Sequence, residues 1–309
     1  MWREETRGYL LIAGATVFWA LSGTLAKFLF SNRPIAPLVL VEFRLLGSFV
    51  LLALVLAIFD PSELELLRVR LLRRADAAYF LTYGTVGMAM VQLSYFLAIS
   101  EGSVATAIFL QYLAPVFTAL YVGLARRGLP EKGVVSSLLL ALCGSGLLLL
   151  GGGAGLTTSR LGLLAGLASA GFMSFYTVYG ARGVQRYGPR TLLLGALGVG
   201  GLALVPFFPP WRVLDLGWTA ADWLFLLYLA VFGTLIPFMM FLAGLRTVAP
   251  VQATLTAMLE PVLATTFAWV LLGESLRPPQ LAGGALIIAA VAHLQVSRAR
   301  RAAAQEAKA

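Results

Sequence analysis

The sequence predicts an all-α integral membrane protein: ten transmembrane helices in two inverted five-helix repeats, with the N- and C-termini cytoplasmic. Three observations carry that prediction. Of the 309 residues, 60% are hydrophobic and only 12% are charged, with a mean hydropathy of +0.87, whereas a soluble domain carries about 25% charged residues. The apolar stretches come in lengths of about 20 residues, enough for a helix to cross the hydrocarbon core of a bilayer. The second half of the chain also repeats the first in register.

The spans run over residues 8–30, 35–59, 77–100, 104–125, 133–151, 160–181, 190–208, 219–242, 250–272 and 279–296. The first has Trp19 midway and Lys27 near its end, where a lysine snorkels its ammonium toward the headgroups. Its apolar run continues to about Phe30, too long for a cleavable signal. Asn32-Arg33-Pro34 turns the chain into the second span, which carries Glu42 and Arg44. Two residues apart on a helix, these side chains point roughly 200° away from each other and do not share one cavity. Arg44 lies about 10–15 Å into its span. A structural pair with a buried acid or carbonyl is expected of it, the alternative being a reach to lipid phosphate.

Asp60-Pro61 ends the second span. The third holds Tyr83, Gln92 and Tyr95, the fourth Gln111-Tyr112 and Pro115, and the fifth the single cysteine, Cys143. Gly151-Gly152-Gly153 links the two halves. On the sixth, Gly162, Gly166 and Ala170, with Ser174 next in line, make a small-residue face suited to close packing and to sliding. Phe172, Tyr176 and Tyr179 recur there at helical spacing. Tyr187-Gly188-Pro189 leads into the seventh span and Pro209-Pro210 closes it; the eighth contains Gly233 and Pro237.

The ninth span is the most informative. Gln252, Thr256 and Glu260 follow at intervals of four, which lays one polar stripe along a helix face. Pro261 removes a backbone hydrogen bond beside Glu260, so the helix is expected to kink near its midpoint. An ionisable group at that depth costs roughly 3 kcal/mol on insertion-derived scales, so it faces a cavity or a partner. Pro278-Pro279 opens the tenth span, which contains the one histidine, His293.

Orientation follows from the basic residues. Of 23 Lys and Arg, 17 fall on the side of the N-terminus, five fall on the other side, and Arg44 lies within a span. Positive charge collects on the cytoplasmic face, which sets both termini inside. Adding 146 to the number places Ala75-Asp76 on Ala221-Asp222, Gly87 on Gly233, Ala107 on Ala253, and Leu113 and Pro115 on Leu259 and Pro261. An earlier offset of 152 places Pro37 on Pro189. Five spans per half is an odd number, so the copies lie in opposite orientations, the plan of many secondary transporters. The organisation is therefore residues 1–151 and 152–296 as the repeats, and 297–309 as a short basic tail.

Several function classes are disfavoured. The net charge of +9 is spread over short runs between apolar spans, the pattern of membrane orientation rather than nucleic-acid binding. One cysteine allows no disulfide within the chain and no thiolate metal site. No G-x-S-x-G or H-E-x-x-H is present, and Asp60, Asp76, Asp215 and Asp222 all lie at span ends, so no intramembrane aspartate dyad forms. No enzyme activity, metal or cofactor is expected. Phosphate-cradling loops are absent too, so ATP does not drive the chain directly.

Phe18-Trp19-Ala20, Glu42-Phe43-Arg44, Pro115-Val116, Leu259-Glu260-Pro261-Val262, Leu272-Gly273-Glu274-Ser275-Leu276 and Gln280-x-x-Gly283 together resemble the EamA-type drug/metabolite transporter superfamily along essentially the whole chain. The resemblance implies a ten-helix carrier of small polar or amphipathic metabolites, often an exporter. Within the superfamily the chain looks most like the YddG-type amino-acid exporters. It also implies that the first, third, fourth, sixth, eighth and ninth spans line the cavity, the others being peripheral. The first half departs from the pattern. Ala114 stands where the repeat would put Glu260, and Arg127-Gly128 where it would put Gly273-Glu274, so the acidic pair carries over to the second half only.

The expected function is secondary transport by alternating access, foremost the export of neutral or aromatic amino acids or similar metabolites across the plasma (inner) membrane. Trp19, Tyr83, Gln92, Gln111, Tyr112, Tyr176, Gln252, Thr256 and Glu260 are the expected substrate contacts. Aromatic rings and neutral amides suit a neutral, partly apolar solute. Glu260 is the expected proton carrier if coupling exists, and Pro115, Gly233, Pro237 and Pro261 are the expected hinges. The partners are the small-molecule substrate and the lipid bilayer, with the chain a monomer or homodimer. The rivals are a drug or nucleotide-sugar carrier of the same fold and a non-transporting receptor or scaffold.

Overall fold

In a chain this apolar, proline and glycine decide where helices begin and end. The computed structural model describes residues 2–32, 36–126, 128, 131–151, 158–211, 217–272 and 276–306. Arg33-Pro34, Arg127, Gly152-Gly153, Asp215 and Gly273-Glu274-Ser275 lie outside the described residues, and of Lys27 only the backbone is described.

The helices are α1 (Trp2–Asn32), α2 (Pro37–Phe59), α3 (Pro61–Leu71), α4 (Arg74–Thr82), α5 (Met90–Ser100), α6 (Val104–Gln111), α7 (Ala114–Arg126) and α8 (Lys132–Gly151), followed by α9 (Arg160–Tyr187), α10 (Pro189–Leu202), α11 (Ala220–Ala230), α12 (Ile236–Gly244), α13 (Pro250–Ala257), α14 (Glu260–Leu272) and α15 (Pro278–Glu306). Five of them (α2, α3, α10, α13 and α15) begin on proline, whose missing N–H costs nothing in the first turn. Among the described residues, seven stretches meet the length and hydropathy of a membrane crossing: Pro37–Phe59, Arg74–Ser100, Ala105–Ala125, Lys132–Gly151, Arg160–Tyr187, Ala220–Gly244 and Pro278–Arg300. The other three expected spans fall on α1, on α10 and on α13 with α14. The protein is an all-helical, multi-pass membrane protein.

Three features went beyond the sequence expectation. The arginine-rich connection after Asp60 folds as α3, with Leu67 buried. The seventh span is shorter than expected: α10 ends at Leu202, and Pro206, which cannot continue the backbone ladder, follows closely. Finally, two helices widen into π-helical turns, π1 at Tyr83–Ala89 and π2 at Val231–Leu235. Their common register is the offset of 146 that relates Gly87 to Gly233.

That offset also relates two helix breaks. α6 stops at Gln111 and α7 starts at Ala114, while α13 stops at Ala257 and α14 starts at Glu260. Prolines 115 and 261 lie directly beyond, each unable to donate into the ladder. The ninth span is therefore interrupted rather than kinked, and its polar stripe does not run down one continuous face.

Packing follows the repeats. α2 lies against π2, and α10 against π1. α8 and α15 form the most extensive helix pair. There Gly144 and Gly283 bring the backbones so close that a Cβ on Gly144 would stand 2.7 Å from the Gly283 carbonyl. Close backbone approach through small residues is how helices associate when lipid supplies no hydrophobic drive. The start of α1 and the end of α15 lie on one side, joined by the ion pair of Arg298 with Glu5 and by an Arg298 hydrogen bond to the Tyr9 hydroxyl.

Candidate functional site

The two helix breaks and π2 surround one cavity of about 100 Å³. That is room for several waters or a small organic solute. α1 contributes Trp19 and Ser22, α5 contributes Gln92, Tyr95 and Phe96, and the first break contributes Gln111, Tyr112, Ala114 and Pro115. Met173 of α9, Gly233 of π2 and Phe238 of α12 close other walls, and Thr254, Ala257 and Glu260 come from the second break. Arg44 reaches in from α2.

Of the nine expected contacts, Trp19, Gln92, Gln111, Tyr112 and Glu260 line this cavity. Tyr83 and Tyr176 do not. They are fully buried and stacked on each other, with centroids 5.0 Å apart. Tyr176 in turn meets Phe238 edge-on at 5.5 Å, so the pair forms a layer behind the cavity wall. Gln252 and Thr256 also fall outside the lining. The break at residues 258–259 turns the cavity-facing side onto Thr254 and Ala257, and the Thr256 hydroxyl donates to the Gln252 carbonyl at 2.8 Å. Of the expected hinges, Pro115 and Gly233 line the cavity; Pro237 sits in the first turn of α12 and Pro261 in that of α14.

The polar groups are sparsely satisfied. Gln92 Nε2 donates to Met88 Sδ at 3.6 Å, and its Oε1 has no partner among the described residues. The Tyr112 hydroxyl faces Glu260 but makes no hydrogen bond of normal geometry among the described residues. Glu260 opens α14, where the unpaired N–H groups of a first turn favour negative charge.

The second span was expected at the periphery; instead α2 brings Arg44 to the cavity. There Arg44 has the expected pairing with a buried carbonyl. Its Nε donates to Thr234 Oγ1 at 2.9 Å and its Nη2 to the Gly233 carbonyl at 2.7 Å, while the guanidinium lies 4.8 Å over the Phe96 ring. Ser48, one turn on, donates to the Ala230 carbonyl at 2.7 Å. A π turn leaves carbonyls without their usual i+4 partners, and α2 satisfies them. Gly233 leaves little room here: a Cβ would press Ser22 and Arg44 Nη2 at 3.1–3.3 Å. The one signal in the sequence was a deep arginine with no acid three or four residues away on its own helix.

Toward the side of the N-terminus the cavity is backed by an aromatic column. Behind Tyr83 and Tyr176, Tyr79 stacks on Tyr179 at 4.3 Å and donates to its carbonyl at 2.5 Å. The column ends at Asp76, which is nearly inaccessible. It accepts from the Tyr187 hydroxyl at 2.8 Å and pairs with Arg186 and, at 3.5 Å, with Arg70.

Comparison with known proteins agrees with this architecture. The chain is 30% identical over 299 residues to the "Uncharacterized inner membrane transporter YicL" of Salmonella typhimurium, covering 96% of this chain and 98% of that protein. It is 33% identical over 199 residues to an "Uncharacterized transporter" of Archaeoglobus fulgidus, covering 64% of this chain and 69% of that one. A solved structure described only as "Crystal structure of protein" superposes with a TM-score of 0.74 at 21% identity, over 96% of this chain and 98% of the other; at that identity the likeness shows the fold. The EamA-like transporter family matches residues 6–150 and again 160–294, nearly the whole chain in two copies, so this membrane protein belongs to the EamA-like transporter family.

Proposed function

We propose that the protein is a secondary transporter that moves small organic solutes, neutral or aromatic amino acids foremost, by alternating access of one central cavity. The observation that carries this reading is the position of the cavity. It lies where two interrupted helices of equivalent register meet, the arrangement in which broken helices of transporters offer backbone and side-chain groups to a solute. The lining supports the solute class: Trp19, Tyr95, Phe96 and Phe238 supply apolar walls, and Gln92, Gln111 and Thr254 supply neutral hydrogen-bonding groups. Two halves of odd span number support an inverted repeat with both termini in the cytoplasm. The printed name of the Salmonella relative supports the inner membrane. Export is the proposed direction, with the chain acting as a monomer or homodimer.

Glu260 is the proposed proton carrier, as the carboxylate that lines the cavity among the described residues. The test is counterflow of labelled neutral amino acids in proteoliposomes, comparing the wild type with Glu260→Gln and Trp19→Ala. Saturable flux that falls in both variants supports the transport function and its site. Flux that is independent of pH and unchanged by Glu260→Gln removes the proton role alone. No amino-acid flux in folded protein removes the amino-acid assignment and directs the search to drugs and sugar conjugates.

A further inference from the structure

We propose that Arg44 is the cavity residue that recognises the carboxylate of the transported amino acid; this rests on the amino-acid reading above. Arg44 is 6% exposed and no carboxylate lies within salt-bridge distance of it among the described residues. A guanidinium stays charged at any physiological pH, and a charge buried in a membrane protein without a counter-charge is costly. The two hydrogen bonds it makes, to Gly233 and Thr234, fix its orientation but go to neutral acceptors and use only Nε and Nη2. Those two bonds use two of the five N–H donors of a guanidinium, and the side chain lines the cavity. Phe96 supports the guanidinium plane from one side. The result is a cation held rigidly from behind, with donors left for an anionic group.

The opposite pole is Glu260. It lines the same cavity without contacting Arg44, and Tyr95 stands within electrostatic reach of both. A cavity with one fixed cation, one separate carboxylate and aromatic walls between them complements a zwitterion. It does not complement a bare cation or an uncharged drug, which would leave the arginine unpaired.

The test uses full-length protein in proteoliposomes, with labelled phenylalanine as probe and unlabelled competitors. Phenylalaninamide keeps the ring and the amine but replaces the carboxylate. In the wild type it is expected to compete roughly 10- to 100-fold more weakly than phenylalanine, the worth of a charge-assisted contact. Arg44→Gln keeps a donor for the Gly233 carbonyl but removes the charge. There the two competitors are expected to converge to within about threefold, whatever the absolute flux. A purely structural arginine would lower flux for both and leave their ratio intact, which overturns the proposal. Equal competition by acid and amide in the wild type overturns it without any variant. If folded wild-type protein carries no phenylalanine or other amino acid, the amino-acid reading fails and this contact falls with it. Flux with no carboxylate preference sinks the contact alone.

Discussion

Arg44 and Gly233 stand 189 residues apart in the chain, yet the guanidinium of one donates to the backbone carbonyl of the other at 2.7 Å. The contact joins the second span of the first half to the π turn of the second half. It shows what holds a deep arginine in place: a helix with a widened turn offers carbonyls that side chains of a neighbouring helix can satisfy.

Thr234 accepts from Arg44 Nε at 2.9 Å and is completely buried. Thr234→Val keeps the shape and removes the acceptor. It is expected to destabilise the protein by about 1–3 kcal/mol, the cost of a buried donor left unmatched. Thermal unfolding in detergent reads this, and an unchanged midpoint would mean that the Arg44 anchor is dispensable.

Asp76→Ala leaves the buried Tyr187 hydroxyl without its acceptor and frees Arg186 and Arg70. The expected cost is about 1–3 kcal/mol, carried mainly by the tyrosine, because Arg186 is half exposed and its pairing is screened. The same change is expected to loosen the aromatic column, so that, with the exposed Cys143 replaced by serine, a cysteine introduced at the cavity-lining Met173 reacts faster with a membrane-impermeant thiol reagent added from the side of the N-terminus. Unchanged labelling would separate this cluster from the closure of that face.

Gly144→Val forces a side chain against the Gly283 carbonyl across the α8 and α15 contact. Backbone cannot move aside as a side chain can, so a loss of about 1–3 kcal/mol or more is expected, read as a lower unfolding temperature. A neutral result would mean that these helices can part without cost.

Tyr112→Phe removes a hydroxyl that faces Glu260 without a normal hydrogen bond among the described residues. The unfolding temperature is expected to stay close to that of the wild type, while the KM for counterflow changes about threefold to tenfold, the worth of one hydrogen bond. A change in stability with unaltered KM would assign the hydroxyl to packing.

Much of the fold was legible because membrane crossing leaves a strong pattern: long apolar windows, prolines at helix starts and a repeat held in register. The π turns were not legible. Tyr83 and Gly233 sit in windows as apolar as their neighbours, and an extra residue in a turn changes no periodicity a reader can count. The site was legible in part. Trp19, Gln92, Gln111, Tyr112 and Glu260 reach the cavity, as depth and polarity suggested. Tyr83 and Tyr176 did not, because two large rings at equivalent depth found each other first. Gln252 and Thr256 were aligned with Glu260 by assuming an unbroken helix, and the break at residues 258–259 undid that alignment.

The equivalence of the two helix breaks has a consequence for the ancestry of the site. In the first half the position of Glu260 is held by Ala114, and in the second half the position of Arg44, carried by the offset of 152, is held by Ala196. Each half thus keeps one pole and has alanine at the other. A symmetric pair of first halves would present two cations, and a pair of second halves two acids. The polar axis needs one copy of each half, so neither half could be exchanged for a second copy of the other.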